Sequence, residues 1–215
     1  MNALHGTWVV VPVRGFAQGK SRLAATLEPA QRARLNRELF ARTLAAVTAA
    51  CGRADQCIVV SPDRDVRHHA TALGAAAIDE PAVCAREGGD EAGLNAALAT
   101  GARVAARRGA HRVLLLAADL PGIGADPIAR FAAAAGAGAA AIAPDRHRRG
   151  TNALLLPAGA ETALRFGANS LAAHRAAFAA LGIALREWDD PALAFDLDTP
   201  EDWACEERRV LVGDP

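Results

Sequence analysis

The amino-acid sequence predicts a single α/β domain over residues 1–215, with a mostly parallel sheet flanked by helices on both faces. Two observations carry that prediction. Short apolar, β-branched runs alternate with Ala-rich segments of helical period, the signature of successive β-α units. The 215 residues, 52% hydrophobic and 22% charged, also suit one globular core, and no repeat or linker divides them.

Residues 7–13 read as a buried strand, bounded by Gly6 and the Arg14-Gly15 turn. A helix is expected over 29–51, where Pro29 suits the first turn and Leu35, Leu39, Leu44 and Val47 contribute to an inward stripe. Residues 57–60 form the second strand, 63–73 the second helix and 75–78 a short third strand. A helix over 91–107 leads to the most apolar strand of the chain, 111–117. Then come a helix near 127–135, strands at 139–143 and 153–156, and a helix at 170–181. Short strands at 183–187 and 193–195 precede a last helix over 200–209. Ligands of such sheets bind beyond the carboxyl ends of the strands. That rule gathers residues 14–22, Ser61, Asp119, Asp196 and Asp198 at one edge.

Acidic and basic residues balance at 24 each, so net charge points neither to nucleic acid nor to a membrane surface. No apolar run has bilayer length and the first residues lack a signal-peptide layout, so a soluble cytoplasmic protein is expected. Cys51, Cys57, Cys84 and Cys205 include no Cys-x-x-Cys pair, which argues against a zinc site or a disulfide framework. The oligomeric state has no sequence signal, and a homodimer stays open.

The charge balance hides an asymmetry. Of the 24 basic residues 23 are arginine, and the one lysine, Lys20, lies in a glycine-containing loop after the first strand. An ammonium is a compact point charge and a guanidinium a planar fork, so the two are not interchangeable at a tight phosphate site. The loop Gly15-Phe16-Ala17-Gln18-Gly19-Lys20-Ser21 invites a P-loop reading, but three residues separate its glycines where a P-loop has four. The following helix also starts too late for its amides to face a phosphate at Lys20. The expectation is a mobile loop that carries Arg14, Lys20 and Arg22 towards a polyphosphate.

Asp119 ends the most apolar strand, and Pro121-Gly122 turns the chain just after it. In Asp196-Leu197-Asp198 the two carboxylates point the same way if the chain is extended. Three such oxygen donors, completed by water and phosphate, suit magnesium. Asp198 or Thr199 could also cap the helix begun by Pro200, with Glu201 in support. Gly167-Ala168-Asn169-Ser170 precedes a helix and offers an anion site or an ordinary cap, with His174 one turn on. Residues 144–152 add a basic loop that is either a second anion contact or simply solvated. His68 and His69 read as solvated.

The strings Val11-Pro12-Val13, Lys20-Ser21-Arg22-Leu23 and Gly93-Leu94-Asn95-Ala96-Ala97-Leu98 run in order with Asp119-Leu120-Pro121 and Gly150-Thr151-Asn152-Ala153-Leu154. Gly167-x-x-Ser170-x-x-x-His174 and Asp196-Leu197-Asp198-Thr199-Pro200-Glu201-Asp202 complete the set. Together they resemble the CofC/FbiD guanylyltransferases of deazaflavin coenzyme F(420) biosynthesis over nearly the whole chain. The wider nucleotidyltransferase group shares the final Asp-x-Asp-Thr-Pro element, but its usual Leu-Ala-Gly-Gly loop is missing here. The family pattern has Lys where this chain has Arg14.

The resemblance implies a single-domain, Rossmann-like nucleotidyltransferase that uses GTP and Mg2+. Its acceptor would be 2-phospho-L-lactate, phosphoenolpyruvate or 3-phospho-D-glycerate. By the same resemblance Asp119, Asp196 and Asp198 would hold the metal, and Thr151, Gly167 and Ser170 the acceptor. Pro12, Val13, Arg14, Lys20, Arg22, Gly93 and Asn95 would contact GTP, with Lys20 and Asp119 the catalytic pair. A P-loop-like GTP phosphohydrolase and a non-catalytic nucleotide-binding module are the alternatives.

Overall fold

The computed structural model describes residues 4–80, 89–136 and 138–212, and Cys84 lies outside them. Among the described residues seven strands form one sheet: β1 (Thr7–Pro12), β2 (Cys57–Val60), β3 (Ala76–Ile78), β4 (Arg112–Leu116), β5 (Ala140–Pro144), β6 (Thr151–Pro157) and β7 (Leu185–Glu187). Their spatial order is β3-β2-β1-β4-β6-β5-β7, with four parallel pairings and two antiparallel ones, both made by β6. The reversal of β6 follows from its short connection to β5, because a tight turn can join only antiparallel neighbours. Asp145 organises that turn by accepting from the backbone N–H of Arg149 at 2.8 Å and of Gly150 at 2.9 Å. The start of β6 therefore lies beside the carboxyl end of β4, with Ala153 opposite Leu116.

Helices α1 (Pro29–Cys51), α2 (Arg64–Ala72) and α4 (Ala125–Ala134) cover one face, and α3 (Gly89–Arg107) and α5 (Ser170–Ala180) cover the other. The alternation of strand side chains divides the core accordingly. Val9 and Val11 join Phe40, Leu44, Val47 and Phe131, while Val10 joins Leu98, Ala102, Ala105 and Phe178. A third, smaller apolar cluster of Leu23, Leu27 and Leu197, with Leu35 and Trp203 against it, lies apart from both.

Most expected elements are found within two or three residues of their bounds. The exception is 193–195, expected as a strand, where the chain instead forms the short helix α6 (Pro191–Ala194). Asp190 caps it by accepting from Ala192 N–H at 3.0 Å, and Pro191 at its start already has a helical φ. Asp196 and Asp198 accordingly lie in the loop between α6 and α7 (Pro200–Val212), not after a strand. The cap of α7 is Thr199, whose Oγ1 accepts from Asp202 N–H while Asp202 accepts from the N–H groups of Asp198 and Thr199. The reciprocal partner is thus Asp202, not Glu201, because the position three residues beyond a cap is the one that folds back. Among the described residues no helix is long and apolar enough to cross a membrane.

One glycine sets how closely α3 approaches the sheet. A Cβ on Gly101 would overlap Val10 Cγ1 and lie 3.0 Å from Val60 Cγ2, both on fully buried strand residues. Gly101→Ala is therefore expected to lower urea stability by about 1–3 kcal/mol through overpacking. Gly136→Ala, with open space around the added methyl, should change it by less than about 0.5 kcal/mol.

Candidate active site

The loop after β1 is anchored, contrary to the expectation of a mobile one. Phe16 is 2% exposed and packs edge-on against Phe40 at 5.6 Å, with His69 at 5.8 Å and the Arg37 guanidinium over its ring. His69, expected to be solvated, is thus half-buried beside two phenylalanines. The Asn36 side chain donates to Phe16 carbonyl at 2.7 Å, and a Cβ on Gly19 would collide with the same amide. Beyond this anchor Lys20 takes a left-handed conformation (φ 59°, ψ 38°), unusual for a residue with a Cβ. A short 3-10 turn, Ser21–Ala25, comes next and places Leu23 in the third apolar cluster.

That geometry aims Lys20 across the sheet edge. Its Nζ donates to Asp119 Oδ2 at 2.6 Å and to Asp198 Oδ1 at 2.9 Å, and the Lys20 side chain is 5% exposed. Burial alone would lower the ammonium's pKa, but the two carboxylates and their hydrogen bonds carry it above its ordinary value. The two acidic loops are joined by Leu197 N–H donating to Asp119 carbonyl at 3.1 Å. Leu197 itself is fully buried, so its neighbours Asp196 and Asp198 are held on either side of a fixed apolar peg. At Asp196, burial, and then the charges of Asp119 and Asp198, push the carboxyl pKa up.

The oxygen-only donor set of Asp119, Asp196 and Asp198 fits a hard cation, since two of the three already converge on a positive charge. Among the described residues, however, no three side chains are arranged as a metal-binding group. The centre is organised as two carboxylates around Lys20 with Asp196 beside them. A cleft of about 280 Å³ opens over it, lined by Pro12, Val13, Arg14, Lys20, Asp119 and Asp198 among others. A smaller recess of about 40 Å³ adjoins it, between Pro12, Val13 and Arg14 on one side and Glu80, Leu94 and Ala97 on the other.

Thr151 lies at the head of β6, on the edge where β1 and β4 end, because β6 runs backwards. Its Oγ1 accepts from Ser170 Oγ at 3.0 Å and is 3.2 Å from His174 Nδ1. Arg165 N–H donates to His174 Nε2 at 3.0 Å, and the ring packs edge-on against Phe166 at 4.7 Å. His174 is fully buried, and burial lowers its pKa to about 4. Gly167 has φ +132°, and a Cβ there would lie 2.5 Å from Glu91 Oε2. Glu91 Oε1 accepts from Ala168 N–H at 2.8 Å, so α3 holds this loop by its first turn.

Comparison with known proteins shows the family of the chain. The family described as guanylyl transferase CofC like matches residues 7–206. The chain belongs to that family. A phosphoenolpyruvate guanylyltransferase from Sphaerobacter thermophilus is 44% identical over 91% of this chain and 90% of its own. One from Rubrobacter xylanophilus is 40% identical over 92% and 91%. Among solved structures, a nucleotidyl transferase from Methanothermobacter superposes with TM-score 0.67 at 19% identity, covering 97% of this chain and 99% of the other. A 4-diphosphocytidyl-2C-methyl-D-erythritol synthase from Anaerococcus prevotii gives TM-score 0.61 at 10% identity, covering 97% and 98%. The two solved structures share the fold with this CofC-like chain.

Within the family frame, Pro12, Val13, Arg14, Lys20, Asp119 and Asp198 come together at one cleft, and Thr151, Gly167 and Ser170 gather around β6 and α5. Arg22 is exposed on the 3-10 turn and does not line the cleft. Gly93 is buried in α3. The Asn95 carboxamide is engaged with protein backbone: it donates to Phe166 carbonyl at 2.7 Å and to Glu91 carbonyl at 2.8 Å, and accepts from Phe166 N–H at 2.8 Å. Asn95 therefore shapes the loop before Gly167. In the basic loop, Arg146 pairs with Asp202 and Arg148 with Glu187 and Asp189, so those two guanidiniums are neutralised within the protein. Sequence reasoning missed Phe16, Asn36 and Leu197, which hold the charged groups in place. The available signals were an aromatic between two loop glycines and a leucine between two aspartates.

His174 has a consequence for stability. Its folded-state pKa near 4 lies below the ordinary 6.5, so its contribution is complete above pH 6.5 and is lost as pH falls through 4. The difference in urea midpoint between wild type and His174→Phe should shrink steadily from pH 7 to pH 4.5. A difference that stays constant would contradict a buried neutral imidazole.

Proposed function

We propose that the chain transfers GMP from GTP to a phosphorylated three-carbon acid and releases pyrophosphate, in a cytoplasmic step of coenzyme F(420) biosynthesis. The observation that carries this reading is the pairing of Lys20 with Asp119 and Asp198 at the sheet edge of a CofC-like chain. The names of the relatives at 40–44% identity favour phosphoenolpyruvate as acceptor over 2-phospho-L-lactate or 3-phospho-D-glycerate.

In this mechanism the acceptor's phosphate oxygen attacks the α-phosphorus of GTP. The new P–O bond forms as the bond from the α-phosphorus to the bridging oxygen breaks, and pyrophosphate leaves with the electron pair. A phosphate monoester has its second pKa near about 6 and is largely dianionic at neutral pH. The nucleophile thus needs no side-chain base, and the protein's work is positioning and charge neutralisation. The Lys20 ammonium is set where negative charge collects. Asp119, Asp198 and Asp196 would hold Mg2+, which supplies Lewis-acid polarisation of phosphate oxygens when bound. The cleft over Pro12, Val13 and Arg14 takes the nucleotide, and the acid binds beside Thr151, Gly167 and Ser170.

The test is pyrophosphate release with GTP, Mg2+ and each of the three acids in turn. Release that depends on both GTP and an acid is expected. Inorganic phosphate from GTP alone would instead identify a phosphohydrolase, and nucleotide binding without turnover a binding module. Asp119→Asn should lower kcat about 100-fold or more while the chain stays folded, with a lower urea midpoint because buried Lys20 loses one carboxylate. Lys20→Arg should not restore the activity lost in Lys20→Ala, because a planar fork cannot replace a point charge between two carboxylates.

A further inference from the structure

The hydroxyls of Thr151 and Ser170 could each point a proton or a lone pair outward, and an anion is bound only by the first. The structure contains a device that settles the direction. The chain of contacts starts at the backbone of Arg165, whose N–H can only donate and is 3.0 Å from His174 Nε2. Nε2 must therefore present its lone pair, and a neutral imidazole then carries its proton on Nδ1. Nδ1 faces Thr151 Oγ1 at 3.2 Å, and the imidazole also interacts with the backbone of Ser170 one helical turn earlier. Thr151 Oγ1 meanwhile accepts from Ser170 Oγ at 3.0 Å. A hydroxyl oxygen has two lone pairs and one proton. With both lone pairs directed inward, the proton of Thr151 is the part left for a ligand.

We propose that His174 is a positioning residue that locks the Thr151 hydroxyl as an outward hydrogen-bond donor to the anionic acceptor substrate. The inference rests on the reading that the acceptor acid binds at Thr151 and Ser170. Burial reinforces the device. His174 is fully buried among Phe166 and Phe178, and Arg165 is the charged neighbour that further disfavours its protonation. An imidazolium would donate from both nitrogens and confront the Arg165 N–H, so the relay has one polarity only. Thr151 itself is half-buried, with its oxygen held from inside the protein.

Two substitutions separate the halves of the relay. His174→Asn keeps an amide donor near the position of Nδ1, whereas His174→Gln keeps an acceptor near that of Nε2. His174→Phe keeps neither. If the donor to Thr151 matters, His174→Asn holds the acceptor KM within about threefold of wild type. His174→Gln and His174→Phe then raise it about tenfold, the loss of one hydrogen bond to a charged group, and leave the KM for GTP unchanged. Thr151→Val should raise the acceptor KM likewise, and adding His174→Phe to it should change that value less than about twofold. Equal losses in Asn, Gln and Phe variants that track their melting temperatures, or multiplicative effects in the double variant, would overturn the proposal in favour of a packing role. The imidazole ¹⁵N spectrum of the wild type reads the tautomer without any turnover. A neutral Nδ1–H ring at pH 6 is required, and an Nε2–H tautomer or an imidazolium there sinks the relay. A wild type that turns over none of the three acids would instead defeat the functional reading, while the ¹⁵N result stands or falls separately.

Discussion

Carboxylates brought together at the edge of a sheet repel one another, and something positive has to stand between them. Here that group is the ammonium of Lys20, within hydrogen-bonding distance of Asp119 and Asp198. The rest of the edge serves this contact. Phe16 and Asn36 fix where the first loop turns, the left-handed backbone of Lys20 redirects it, and Leu23 clamps the 3-10 turn beyond. From the other side, Leu197 binds the second acidic loop to Asp119 and to the same small apolar cluster as Leu23. A largely buried, doubly paired ammonium is costly to desolvate, and only partners held rigidly offset that cost. The apolar pegs supply the rigidity.

The reversed strand β6 explains how two separate polar groups come to one edge. In a fully parallel sheet the residue that begins a strand lies at the opposite end from the residues that close its neighbours. Because β6 runs against β4, Thr151 and Asp119 flank the same rim. Helix α3 ties the two halves further. Its Gly101 lies against β1 and β2, while Glu91 and Asn95 hold the Phe166–Ala168 backbone ahead of α5.

Much of this fold was legible in the sequence because periodicity and punctuation are local. The bounds of α1 and β2 follow from Pro29, Gly52 and runs of apolar residues, and Asp119 stands out as a lone carboxylate ending an apolar strand. The features that escaped are non-local. No pattern within a short window reveals that Lys20 meets partners 99 and 178 residues away, or that β6 is reversed. The strand expected at 193–195 failed because three apolar residues suit either structure, and the Asp190-Pro191 cap decided for helix. Asn95 had the right neighbourhood and a different task, since its amide is consumed by the backbone it supports. His174 was visible only as one turn beyond Ser170; its partners come from β6 and from the Arg165 backbone.

The wide spacing of the Lys20 partners bears on how the protein is made. The ammonium belongs to the loop after β1, and its second carboxylate is synthesised 178 residues later. Closing so long a loop gains nothing until Leu197 and Trp203 can settle against Leu23. A nascent chain, however well its early strands have paired, therefore carries a lysine site with one wall missing. The second wall of the Lys20 site is in place only once α7 has docked against the loop after β1.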